Sequence, residues 1–262
     1  MQKVKKIIVY PIKSLGGVEV ESALAIVKGF KNDRRWMLVD SEGKFQTQRE
    51  MPKLTLFKTR FEKRGIVVSH NAQEILVPFG LNSKIIRDVN VFEHNLKTQE
   101  VSSEINKWFS DQLDKKVQLV TMTDISDRVK SFEKPPYKTF VSLADGYPYL
   151  ILGTASVDEL NSKLDQPIKY DRFRTNIYLE TTEAHSEDDF ESIQIGGAQF
   201  KVVKACARCN VTTINQQTSE TGKEPLKTLA TYRKIDHKIL FGANMILEKS
   251  GLVSLGDSVI SI

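Results

Sequence analysis

The stretch WMLVDSEGKFQT (36–47) holds a short apolar run, a turn built from Asp40, Ser41, Glu42 and Gly43, and a second run that begins at Phe45. An apolar run that short, stopped by turn formers, reads as a strand; a helix needs recurrence at about 3.6 residues over roughly ten positions. Working outward, Leu54-Thr55-Leu56-Phe57, Ile66-Val67-Val68, Ile75-Leu76-Val77 and Val89 to Phe92 follow at nearly regular spacing, and Val18 to Val27 alternates upstream. Short strands at that spacing predict a β-barrel or sandwich. The period then changes: after Ser102 or Ser103 as N-cap, Ile105, Trp108, Phe109 and Leu113 recur at helical spacing, and Val117 to Met122 returns to strand. Residues 123–148 show no period, contain Pro135-Pro136 and predict a long loop. A second helix is expected where Ser156 and Glu159 stand at capping-box spacing, with Val157, Leu160 and Leu164 on one face. The remainder is strand-rich: Ile177 to Leu179, Ile193 to Ile195, Phe200 to Val203, Val211 to Ile214, Met245 to Leu247 and Val259 to Ile262. The pattern is that of a mainly β protein with a few helices, divided near residues 100–120 into domains 1–118 and 119–262.

Composition narrows the class. The 262 residues are 40% hydrophobic and 27% charged, with a net charge of +5, which suits a folded globular chain of one large or two modest domains. No segment approaches the roughly 20 apolar residues that span a bilayer. The N-terminal MQKVKKIIVYPIKSLGG has a basic start, but its apolar run ends at Pro11, too soon for a secretion signal. With two cysteines and no export signal, a cytoplasmic location is expected. The mild positive excess shows no concentrated basic stripe, so nucleic acid is not an expected partner.

Cys206-Ala-Arg-Cys209 could be half of a zinc site, a redox dithiol, one thiolate bound to a soft metal, or two ordinary thiols. The four histidines show no paired ligand spacing, and a strand is expected on either side where a redox dithiol would sit at a helix start. Lys13-Ser14, between Pro11 and Gly16-Gly17, is either a hairpin turn or a phosphate cradle without P-loop spacing. Arg34, Arg35, Arg49, Arg172 and Arg174 at strand edges could clamp an anion or form a solvated basic rim. Glu187-Asp188-Asp189 reads as a solvated acidic loop. No GxSxG and no GxGxxG is present, which disfavours a nucleophile-elbow hydrolase and a dinucleotide dehydrogenase.

The segments YPIKSLGG (10–17), DRRWMLVDSEGKFQTQREMPKL (33–54), DRFRTNI (171–177), CARCNVTTIN (206–215), GKEPLKTLATYR (222–233), FGANM (241–245) and GDSV (256–259) occur in the order seen in MOSC-domain proteins. Together they most resemble the two-part members, an N-terminal β-barrel domain followed by a MOSC β-barrel domain, a group that includes the mitochondrial amidoxime reducing component and bacterial relatives. That resemblance implies the molybdenum cofactor (Mo-molybdopterin), with Cys209 as the catalytic protein ligand to the metal. It further implies that Lys13, Ser14, Arg34, Arg174 and Arg208 contact the cofactor, that the loop Asp145, Gly146 and Tyr147 touches it, and that Asn176 and Asn244 lie on matching positions.

The chain departs from the mitochondrial members in places: Gly146-Tyr147 replaces small hydroxyl residues, Ala207 stands where serine can occur, and Asn244 replaces tyrosine. The implied activity is reduction of N-hydroxylated small molecules with electrons from a separate donor, a flavoprotein, ferredoxin or cytochrome. With two cysteines no iron–sulfur domain is expected within the chain, nor is a membrane anchor. The alternatives within the resemblance are a cofactor or sulfur carrier with a persulfide on Cys209, a pyridoxal-phosphate-binding role with Lys13 as imine former, and a module that stores the cofactor without turnover.

Overall fold

The run Trp36–Val39 is buried along its whole length, which a strand achieves only when both faces are covered. Alternation then sends its side chains to two cores. Trp36 and Leu38 join Ile12, Leu15, Leu54, Phe57 and Phe109 in one, while Met37 and Val39 join Val89, Val91, Leu96 and Val120 in the other. At about 1.5–3 kcal/mol for each fully buried large apolar side chain, this short run is a principal contributor to the surrounding unit. The following turn is fixed by Asp40, whose Oδ1 accepts from the backbone N–H of Glu42 at 3.0 Å and of Lys44 at 2.9 Å.

The computed structural model describes residues 2–80, 83–123, 126–132 and 137–262. It is mainly β, with three α-helices, α1 (Ser103–Leu113), α2 (Thr154–Ser162) and α3 (Leu226–Tyr232), among the described residues. No helix of these residues is long and apolar enough to cross a membrane. Contacts gather the chain into two units of interleaved segments: Met1–Val9, Glu19–Lys31 and Gly146–Ile262 form one, and Tyr10–Val18 with Asn32–Asp145 the other. The contact division is thus not a single cut at 118/119. Its physical cause is strand pairing, because Lys3–Val9 pairs antiparallel with Ile177–Glu180.

In the first unit Val18–Val20 flanks Lys3–Val9, and from that first strand the order runs Ile177–Glu180, Tyr149–Gly153, Lys238–Lys249, Ala198–Ala207, Ser192–Ile195, Val259–Ser261. The last strand returns to the first through the bridge between Lys3 and Ser258 and a hydrogen bond from Val259 N to Gln2 O at 3.0 Å, so the sheet closes on itself. The parallel pair Tyr149–Gly153 with Ile177–Glu180 is connected through α2. Inside, Tyr149 packs edge-on against Phe30 and Phe200, and its hydroxyl donates to Ile26 O at 2.6 Å.

The second unit combines a four-stranded sheet (Trp36–Val39, Gln118–Thr121, His94–Glu100, Ile86–Val91) with a three-stranded meander (Lys58–Glu62, Gly65–His70, Gln73–Pro78). Helix α1 packs there as its periodicity requires, burying Ile105, Phe109 and Leu113, and the Ser102 side chain accepts from Ile105 N at 3.1 Å.

Four expectations are corrected. Residues 123–148 contain a hairpin, Val129–Phe132 with Tyr137–Phe140; Pro135-Pro136 lies outside the described residues. Leu54, Thr55 and Leu56 lie in a 3-10 turn, Pro52–Leu56, capped by Phe57 and started by a proline whose fixed φ suits it. Val211–Ile214 likewise follows a 3-10 turn, Asn210–Thr213, because the hydroxyls of Thr212 and Thr213 donate back to the carbonyls of Cys209 and Asn210. Ser156 is not a cap: α2 begins at Thr154, and the Ser156 hydroxyl is buried against Glu187, at 2.8 and 2.9 Å from its two carboxylate oxygens.

Candidate functional site

In the second unit, Lys13 follows the first strand in a turn that places its side chain inside the molecule. Lys13 N donates to Trp36 O at 2.7 Å, so the residue hangs from the same buried strand that organises the core. Its Nζ donates to Leu143 O at 2.7 Å and is paired with Asp145 Oδ1. The rings of Phe45 and Phe92 cover it, with centroids 5.2 and 5.6 Å from Nζ. Burial lowers the pKa of this amine, and Asp145 opposes that shift. Asp145 also binds Arg49 Nη2 at 2.6 Å. Burial alone would raise its carboxyl; Lys13 and Arg49 instead hold it well below the usual carboxylate range.

Arg128, almost fully buried, donates to the carbonyls of Ser142, at 3.1 Å, and Ala144, thereby shaping the segment that presents Asp145. Its Nε is buried with no hydrogen-bond partner. Ser14 adopts φ 70°, and its carbonyl accepts from Gln48 Nε2 at 2.7 Å. Arg34, at φ 46°, stacks on Tyr10 at 4.4 Å and pairs with the fully buried Asp33 at 2.6 Å. Lys13, Arg34, Arg49 and Arg128 therefore outnumber Asp33 and Asp145, and the cluster has cationic character.

In the first unit, Gly146 and Tyr147 open the segment that becomes the strand Tyr149–Gly153. The Tyr147 hydroxyl is pushed up to about 12, by burial first and by the neighbouring Cys206 second. Lys204 Nζ lies 5.1 Å from the Tyr147 ring. Cys206 and Cys209 are both thiols outside any disulfide, and Cys209 is exposed just beyond the end of the strand Ala198–Ala207. Arg208 between them is fixed in three ways. Its Nη1 donates to Cys206 Sγ at 3.0 Å, its Nη2 donates to Phe173 O at 2.5 Å, and its guanidinium lies 5.3 Å from the Phe173 ring centroid. Arg208 Nε is buried with no hydrogen-bond partner. Arg174 caps the 3-10 turn Tyr170–Phe173 at φ 52°, so the Arg208 clamp and Arg174 share one short element.

Asn176 is buried and its amide donates to Ile8 O at 3.1 Å, between two barrel strands. Asn244 is buried in the long strand opposite Leu150 and Lys204. The reading of Glu187-Asp188-Asp189 as solvated is corrected. Glu187 is fully buried, its carboxyl pushed up by burial while the Ser156 hydroxyl opposes that shift, and Asp188 pairs with Arg233; Asp189 alone is exposed. Sequence reasoning missed Arg128, Phe45 and Phe92, which define the surroundings of Lys13. An arginine in an aperiodic stretch and two aromatics beside turns carry no pattern that marks them.

Models of two families match the chain: the MOSC N-terminal beta barrel domain over residues 1–116 and the MOSC domain over residues 138–260. The chain is a MOSC-domain protein. Among curated relatives this MOSC protein is 32% identical to mitochondrial amidoxime-reducing component 1 of Danio rerio, over 99% of this chain and 84% of that one. It is 30% identical to the same component of Xenopus laevis, over 98% and 81%. It is 28% identical to mitochondrial amidoxime reducing component 2 of Homo sapiens, over 98% and 82%.

Proposed function

We propose that the protein is a molybdenum-cofactor-dependent reductase of N-hydroxylated small molecules that takes electrons from a separate donor protein. The observation that carries this reading is Cys209, an exposed thiol at a strand end beside a guanidinium held on three sides, in a chain whose relatives are named for reducing amidoximes.

The residues suit the cofactor. Among the described residues no group of three His, Cys, Asp or Glu side chains is arranged to hold a metal ion, so a metal here must bring most of its ligands with it, as one bound by a pterin dithiolene does. One thiolate completes such a set. When bound, the cofactor supplies the two-electron redox chemistry that removes the substrate oxygen. The chain's own part is orientation and charge. Cys209 would be the protein ligand, and Arg208 and Arg174, set by Phe173 and its turn, would present positive charge from fixed positions. Taken by itself, the second unit's cluster of Lys13, Ser14, Arg34 and Arg49 has the charge sign that a phosphate needs. Lys13 suits an ion-pairing role better than imine formation, because its amine is held by Asp145 and Leu143 O beneath two aromatic rings.

The deciding experiment measures molybdenum and pterin per chain after expression in a cofactor-competent host, alongside Cys209→Ala. Near-stoichiometric molybdenum that is lost in the variant supports the reading. Pterin retained equally by both proteins, with no dependence of metal on Cys209, would shift the assignment to a carrier.

A further inference from the structure

Residues 223–238 carry Lys223, Lys227, Arg233, Lys234 and Lys238 against Glu224 and Asp236, a local excess that accounts for much of the chain's net +5. Two of these groups are internally engaged: Arg233 pairs with Asp188, and Glu224 accepts from Thr228 N at 3.0 Å at the start of α3. The four lysines are exposed, and no ion pair holds them among the described residues. Between them stands Ile235, 57% exposed, at the tip of a hairpin in which Lys234–Ile235 pairs with the start of Lys238–Lys249. The two loop residues, Asp236 and His237, both have positive φ, 46° and 63°, as in the tight turns that match strand twist. The tip is therefore a preformed apolar point inside a basic rim.

This hairpin continues the ladder that ends at the cysteines. Leu240 pairs with Ala207, and Arg208 N donates to Ile239 O at 2.8 Å, one residue before Cys209. We infer that the hairpin tip 234–238, together with Lys223 before α3 and Lys227 within it, forms the docking surface for a small acidic one-electron carrier protein. This rests on the reductase reading and adds to it the place where electrons arrive. Converting an N-hydroxyl to N–H takes up two electrons and two protons and releases one water, so a one-electron carrier must dock and leave twice per turnover. A basic rim around a single apolar contact suits fast encounter and fast release, because surface charges set the association rate more than the affinity.

The test uses the full, cofactor-loaded chain and flavodoxin as the acidic carrier, with dithionite-reduced methyl viologen as a donor that needs no docking surface. Carbodiimide crosslinking is expected to join flavodoxin carboxylates to lysines between 223 and 238. The combined variant Lys227→Glu, Lys234→Glu, Lys238→Glu should lower flavodoxin-driven turnover at least tenfold and leave viologen-driven turnover and the melting temperature unchanged. Ile235→Ser should weaken flavodoxin-driven turnover alone. Crosslinks elsewhere, no crosslinks, or a charge-reversed variant that accepts electrons from flavodoxin as well as the parent would each overturn the assignment. Failure of viologen to drive the parent would count against the reductase reading instead, and the crosslink positions would still decide the docking surface.

Discussion

Cys206 and Cys209 have the same chemistry and different surroundings. Cys206 holds Arg208 in place by accepting its Nη1 hydrogen bond, while Cys209 is exposed beyond the strand end. Cys209→Ala is therefore expected to abolish molybdenum retention, whereas Cys206→Ala should keep the metal and lose about 0.5–1.5 kcal/mol of stability as one hydrogen bond disappears; metal content and urea melts separate the two. Asp145 yields a second prediction with a definite sign. Its carboxyl is held below the ordinary value, so its contribution is complete above the unfolded-state pKa of about 3.9 and fades only as pH falls lower. Asp145→Asn removes the partner of a buried ammonium and should cost about 1–3 kcal/mol at neutral pH. The Lys13 amine, already lowered by burial, would fall further without Asp145. Unfolded chains then bind more protons than folded ones down to a lower pH, so as pH falls below about 10.4, the free lysine value, the variant's stability should keep falling where the parent's has levelled off. Equal slopes in denaturant titrations across that range would refute the pairing.

Elements were legible in the sequence where one physical signal dominated. The run 36–39 was readable because its residues are uniformly apolar, and α1 because its period agrees with its cap. Ser102→Ala should accordingly cost about 1 kcal/mol, measurable as a shift in the urea midpoint. Elements decided by backbone bonding were not legible. Leu54–Phe57 looks like a strand, but Pro52 starts a turn in which Leu54 N donates to Met51 O at 3.1 Å. The pairing of Val129–Phe132 with Tyr137–Phe140 escaped notice because the apolar Val129 and Phe140 are exposed while the polar Thr139 is buried, the reverse of the alternation that marks a strand. Close approaches between elements are likewise invisible from sequence. A Cβ at Gly251 would lie 2.1 and 2.2 Å from the carbonyl carbon and oxygen of Gly197, backbone atoms that have nowhere to go. Gly251→Ala should destabilise the protein by about 1–3 kcal/mol or more, read from the same denaturant curves.

At the scale of the whole molecule, a mainly β architecture was predictable and the way the chain is shared between two units was not. Strand partners far apart in sequence leave no local trace, and the pairing of Lys3–Val9 with Ile177–Glu180 is of that kind. The same holds for the site. Lys13 and Asp145 could be singled out, but not their direct pairing across more than a hundred residues, nor the Arg128 that shapes the segment between them. A fragment of residues 119–262 lacks the strand that closes its barrel and the segment that supplies Phe30. It should fail to fold alone and regain native circular dichroism and dispersed amide resonances only when residues 1–118 are supplied.

Barrel closure also sets a waiting time during synthesis. A ribosome adding 5–20 residues per second leaves the first strand without Ile177–Glu180, its partner on one side, for roughly 8–34 s while the chain between residues 9 and 177 emerges. For that interval one side of the apolar run Ile7-Ile8-Val9 lacks its strand, and Lys3, Lys5 and Lys6 beside it are the charges that keep nascent chains from adhering to one another.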